Sequence, residues 1–181
     1  MKGLLILSNG CEDGEALFTT ALLRRAGLDV DTVTFQHNKQ IKTGYAQQVF
    51  ADYVYKDIFI DDYEFLVIPG GKYVALDVEQ DQDIKNLALN FKKRKKLIAA
   101  ICAGPRFLGQ AGLLEGVKFT SFPGTEKDMP KGIYLKDQKA VYDQGIITAR
   151  SAGAIYEFTY EIVKQTLGEQ HAIELLKSIY Y

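Results

Sequence analysis

"LIAAICAGPRF", Leu97 to Phe107, is the stretch on which the fold turns. Leu97 to Ile101 is an apolar run of strand length, closed by Cys102. Ala103 and Gly104 are small, and Pro105 stands where a helix can begin without an N–H. A buried strand, a thiol, two small residues and a helix start form a nucleophile elbow, a sharp turn that lifts one side chain clear of the chain path.

Working outward, "GLLILS" (Gly3 to Ser8), "EFLVIPGG" (Glu64 to Gly71) and "IITAR" (Ile146 to Arg150) read as strands, and "DVDTVTF" (Asp29 to Phe35) alternates as one. "VKFTSFPG" and "KAVYDQG" read as shorter strands, and residues 40 to 55 as a small hairpin around Gly44. "EALFTTALLRRAG" carries Leu17, Ala21 and Leu22 at helical spacing and stops at Gly27. Residues 81 to 91 form a further helical segment, and the tail reads as two helices parted by Gly168. Continuous apolar strands alternating with helices predict one α/β domain over residues 1–181, with a mostly parallel sheet covered on both faces. Ligands of such sheets bind beyond the carboxyl ends of the strands. The loop with Glu12, Asp13 and Glu15, the Pro69-Gly70-Gly71 turn and Cys102 all fall there.

The 181 residues carry 22 Lys and Arg against 23 Asp and Glu, a net charge of -1, so no global field draws the chain to nucleic acid or membrane. The basic run Lys92 to Lys96 reads as the solvated end of a helix, where cations suit the dipole. No apolar run approaches the ~20 residues of a membrane span. "MKGLLILSNGC" is superficially like a lipoprotein signal, but its apolar part, Leu4 to Leu7, is too short for one. Two cysteines without a disulfide framework suit a reducing compartment, and the expectation is a cytoplasmic protein. No zinc-type spacing or phosphate-binding loop occurs, so neither metal nor cofactor is expected.

At a helix start the Cys102 thiol should ionise below the ~8.5 of a free cysteine. The N–H groups of Ala103 and Gly71 are placed to hold an oxyanion. Cys11 reads as a small packed residue.

"AAICAGP", with "VIPGG" upstream and "GCEDGEA" after the first strand, resembles the ThiJ/PfpI superfamily. Within it, the branch of the parkinsonism-associated redox protein and its bacterial relatives is the nearer likeness. "LLRRAGLDV" and "ITARSAGAIYEFTYEIV" extend the resemblance over nearly the whole chain. It implies a flavodoxin-like three-layer sandwich and a homodimer. It also implies that Cys102 is the reactive cysteine and Glu15 its carboxyl partner, with a raised pKa. Gly70, Phe122 and Arg150 are implied around the pocket, and Arg25 or Arg24 near the pocket of a partner subunit.

The chain departs from that pattern in two places. Where many relatives carry a histidine before a proline, "TSFPG" has Phe122, and an acid of the first helix is replaced by Ala21. His37 and His171 are the only histidines, and both read as ordinary surface residues. Two functions remain. One is cofactor-independent glyoxalase or deglycase-like chemistry on small reactive carbonyls such as methylglyoxal, weakened by Phe122. The other is an oxidative-stress sensor in which peroxide takes Cys102 to sulfinate. Peptidase chemistry lacks its histidine.

Overall fold

The computed structural model describes residues 1–181. A seven-stranded sheet is built from β1 (Lys2–Ile6), β2 (Asp29–Thr34), β5 (Tyr53–Val54), β6 (Phe65–Ile68), β7 (Leu97–Ile101), β10 (Ala140–Asp143) and β11 (Ile146–Ala149). Their order is β10-β11-β7-β6-β1-β2-β5. Every pairing is parallel except β10 with β11. The paired strands β3 (Gln40–Lys42) and β4 (Gln48–Phe50) form the expected hairpin, and β8 (Lys118–Phe119) pairs with β9 (Ile133–Tyr134). Only two residues of "VKFTSFPG" are therefore strand. The helices are α1 (Thr19–Arg25), α2 (Lys72–Asp77), α3 (Asp83–Lys93), α4 (Pro105–Gln110), α5 (Ile155–Leu167) and α6 (Glu169–Ser178). This is the mostly parallel, helix-covered α/β fold expected from the strand pattern.

The central strands are buried along their length because both faces are covered; Leu4, Leu5, Ile6 and Phe65 to Ile68 are fully excluded from water. One cluster of 45 buried residues spans the molecule. The antiparallel edge is a tight hairpin: Gln144 and Gly145 both have positive φ (50° and 80°), as a two-residue turn between twisted strands requires. Gly168, at φ 98°, separates α5 from α6. Helix α2 was not apparent in the sequence, because its six residues follow directly on the Gly70-Gly71 turn.

The basic run is structural in large part. Lys92 donates to the Gln144 carbonyl, Arg94 pairs with Asp61, and Lys96 reaches the carbonyls of Asp61 and Tyr63. These contacts tie the end of α3 to the turns below the sheet.

The winding order reverses across the parallel pair β1–β6: successive strands step outward to β2 on one side and to β7 and β11 on the other. A crevice opens at such a switch point, beyond the carboxyl ends of β1, β6 and β7. At the opposite end of this pair Gly3 faces Phe65, and a β-carbon on Gly3 would lie 2.0 Å from the Phe65 ring. Gly3→Ala should cost about 1–3 kcal/mol by overpacking. Urea unfolding should show that loss, and the double variant Gly3→Ala/Phe65→Leu should recover part of it.

Candidate active site

Cys102 sits at the turn between β7 and α4 with φ of +65°, a left-handed conformation that a side-chain-bearing residue adopts at a cost of about 1–2 kcal/mol. Three backbone hydrogen bonds hold it there. Its N–H donates to the Ala149 carbonyl at 2.8 Å, its carbonyl accepts from Phe122 N–H at 2.8 Å, and Gly104 N–H donates to the Ile101 carbonyl at 2.9 Å. A β-carbon on Gly104 would lie 2.6 Å from the Ile68 carbonyl oxygen, so the turn can close only over glycine. The elbow read from the sequence is present.

Glu15 reaches the same place from a different element. Gly14–Phe18 is a π-helical turn leading into α1, a wide turn of the kind found at functional sites. It directs Glu15 inward, fully buried, at the end of β1. Glu12 caps this turn, its Oε2 accepting the Glu15 N–H at 2.6 Å. Gly70 lies between acid and thiol. Its N–H donates to Glu15 Oε2 at 2.9 Å, and a β-carbon there would be 2.7 Å from both that oxygen and the Cys102 β-carbon. The absent side chain at position 70 is what lets the two groups meet.

Burial pushes the Glu15 carboxyl up to about 7, against the lowering effects of the Cys102 thiol and the Gly70 amide. Its Oε1 is buried without a hydrogen-bond partner. A proton carried on that oxygen removes an unpaired buried charge and supplies a donor toward sulfur. Burial also raises the Cys102 thiol, and the charge of Glu15 raises it further, while the Ala103 N–H facing the sulfur opposes both. The lowered thiol pKa expected from the helix start is therefore not found. Helix α4 is only six residues long, and an adjacent carboxylate outweighs its dipole. The two groups titrate as a coupled pair: an ionised Glu15 keeps Cys102 a thiol, and a protonated Glu15 removes the repulsion.

A cavity of about 420 Å³ opens above the pair. Glu15, Gly71, Cys102, Ala103 and Phe122 line it, so five residues singled out in the sequence converge. Gly71, at φ +122°, is pinned against the first loop, where a β-carbon would lie 2.4 Å from the Glu12 nitrogen. Phe122 is 48% exposed at the mouth, a rim residue instead of part of a dry wall. The turn Ser151 to Gly153 closes one side, and Gly44, Tyr45 and Lys72, which sequence reasoning did not single out, close another. Tyr45 arrives from the distant β3–β4 hairpin and had no local signal. Lys72 directly follows the glycine pair.

One sequence expectation is corrected. Arg150 lies outside this cavity, in a separate cleft with Glu126, Tyr134 and Lys136. The chain is extended past β11, so Arg150 and Ser151 point to opposite sides, and Ser151 takes the pocket side. Arg25 is held at the end of α6, where its Nε and Nη2 donate to the Ser178 hydroxyl and carbonyl at 3.0 Å each. Arg24 is likewise engaged, with the Val30 carbonyl and Asp52. Neither arginine lines the pocket of this chain. His37 and His171 are exposed and outside it. Cys11 is fully buried, and that burial pushes its thiol up to about 12, as suits a packed residue.

A nucleophile elbow facing a buried acid at the switch point of a parallel sheet defines a class of cysteine-centred α/β proteins. Comparison with known proteins narrows it: the sequence profile of the DJ-1/PfpI family matches residues 1–165, and the chain belongs to that family. It is 28% identical over 179 residues to protein dj-1beta of Drosophila melanogaster, covering 98% of this chain and 96% of that one. It is 31% identical over 166 residues to deglycase PfpI of Pyrococcus furiosus, covering 91% and 98%. The crystal structure of Drosophila melanogaster DJ-1beta superposes with a TM-score of 0.92 at 28% identity, over 99% of this chain and 97% of that one.

The raised Glu15 pKa has a consequence for stability. The native state prefers the proton, so its penalty is absent below about pH 4.5, grows as the unfolded carboxyl ionises, and is complete above about 7. Stability should fall over that window by roughly 3 kcal/mol from this group. Urea midpoints at pH 5 and pH 8 should differ more in wild type than in Glu15→Gln, which has no proton to lose.

Proposed function

We propose that this protein acts on small reactive carbonyls through Cys102 and Glu15, with methylglyoxal as the representative substrate and lactate as the product. The observation that carries the reading is a thiol on a strained elbow beside a buried acid whose pKa, about 7, lies where it can both give and take a proton. Membership in a family whose relatives include proteins named deglycase supports it.

The chemistry balances with water as the only co-reactant. Cys102 sulfur bonds to the aldehyde carbon while the thiol proton passes to the carbonyl oxygen, giving a hemithioacetal. The N–H groups of Gly71 and Ala103 face the oxygen as its charge develops. Glu15, as carboxylate, takes the proton from the former aldehyde carbon and returns it to the neighbouring ketone carbon, while the hemithioacetal hydroxyl proton passes to the ketone oxygen; the adduct becomes a thioester of the 2-hydroxy acid. Water cleaves the thioester, releasing the acid and regenerating the thiol. No histidine lines the cavity, and Glu15 is the acid that meets the thiol across Gly70, so the proton transfers at carbon fall to Glu15.

The same absence favours a second reading, stress sensing. Peroxide attack on Cys102 needs no proton transfer from carbon, and the resulting sulfinate would accept from protonated Glu15 and the Ala103 N–H.

Lactate formation should be lost in Cys102→Ser. Glu15→Gln should lower it by about 10²-fold or more while leaving Cys102 oxidisable. Phe122→His should raise it tenfold or more if a rim histidine can shuttle protons, and a half-exposed position should accept the polar ring with little loss of stability. Absence of lactate in every variant, with a mass gain of two oxygens on Cys102 after peroxide, would replace the enzyme reading by the sensor.

A further inference from the structure

We propose that Lys72 makes the Cys102 pocket selective for anionic ligands, so that the preferred dicarbonyl compounds carry a carboxylate beyond the ketone carbon that receives the proton. The proposal rests on the reading of this cavity as a ligand site and adds the charge class of what enters it.

Lys72 is the only cationic side chain lining the cavity. It forms no ion pair and no side-chain hydrogen bond, and its Nζ is held only over the ring of Tyr45, 5.7 Å from the centroid. Tyr45 is itself fixed: its N–H donates to Asp13 at 3.0 Å, and Thr43, two residues earlier, donates to the same carboxylate at 2.6 Å. The hairpin tip thus seats an aromatic face against an otherwise unpartnered ammonium at the mouth of the pocket. Helix stability does not account for the lysine. It begins α2, where the helix dipole disfavours a cation and favours an acid. A residue that works against its own helix and lines a reactive cavity is better explained by what enters the cavity.

Two acids face the same space. Glu12 turns back onto the π-helical turn, accepting from Glu15 N–H, and that N-terminus partly offsets its charge. Glu15 forms part of the floor, and burial pushes its carboxyl up to about 7, so it carries only part of a charge near neutral pH. Lys72 is then the charge presented to an incoming ligand. It is adjacent in sequence to Gly71, whose N–H faces the carbonyl oxygen in the proposed chemistry. A carboxylate beyond the ketone carbon would be drawn to the same side.

The test uses Cys102 alkylation and does not depend on turnover. Iodoacetate and iodoacetamide differ in charge and little in size, and their rates at Cys102 can be read by peptide mass. The ratio of the iodoacetate to the iodoacetamide rate should fall about fivefold in Lys72→Met, as for one unit charge a few ångströms away in a partly solvated site. Lys72→Arg should restore the ratio, and 0.5 M salt should flatten the difference between variants. Lys93→Met, an exposed lysine on α3, should leave the ratio unchanged, which separates a local effect from net charge. A ratio that stays within twofold of wild type in Lys72→Met overturns the proposal. So does failure of both reagents to label Cys102, since the pocket would then admit no ligand to the sulfur. A changed ratio without lactate formation would keep the selectivity and discard the carbonyl chemistry.

Discussion

The contact between Glu15 and Cys102 across Gly70 is the constraint around which the site is arranged. Three strand ends meet there, and each supplies one part: the acid follows β1, the gap follows β6, and the thiol follows β7. Neither polar group is comfortable alone. A fully buried carboxyl pays for its desolvation by holding a proton, and a thiol beside it resists ionisation. Together they titrate as a coupled pair in which the charge of one raises the pKa of the other. The backbone of Cys102 adds its own strain, balanced by hydrogen bonds to the neighbouring strand and to Phe122.

Elements outside the sheet finish the site. The first loop is gripped from two directions: Gly71 bridges to Cys11, and Asp13 binds the tip of the β3–β4 hairpin. Residues separated by some sixty positions therefore form one wall. That wall carries aromatic and cationic groups to the mouth of a cavity whose floor holds the acid and the thiol. The rim decides which molecules approach, and the floor decides what happens to them.

Much of this was legible in the chain. The apolar runs at Leu4 to Leu7, Phe65 to Ile68 and Leu97 to Ile101 are strand-length and unbroken, and only a sheet buried on both faces makes such runs stable. Gly168 and the residues before Gly27 marked helix ends that the structure shares. Less was visible where tertiary contact overrides local pattern. Helix α2 is too short to show a period, and "VKFTSFPG" looks like a strand because it is rich in β-branched and aromatic residues, although only Lys118 and Phe119 join a strand ladder. The π-helical turn at Gly14–Phe18 has no sequence mark at all.

The residues themselves determined that a thiol would stand on a sharp turn between strand and helix. Cys102 is flanked by a strand that must be buried and by Ala103, Gly104 and Pro105, which permit little else. What that thiol experiences was decided only in three dimensions. A helix dipole can be read from sequence and pointed to a lowered pKa, whereas the opposing effects come from burial and from a carboxyl 87 positions earlier. The same holds for Arg150. It has the right chemistry for a pocket, but strand alternation turns it away. Local sequence specifies where a backbone turns; the energy of a charge depends on everything folded around it.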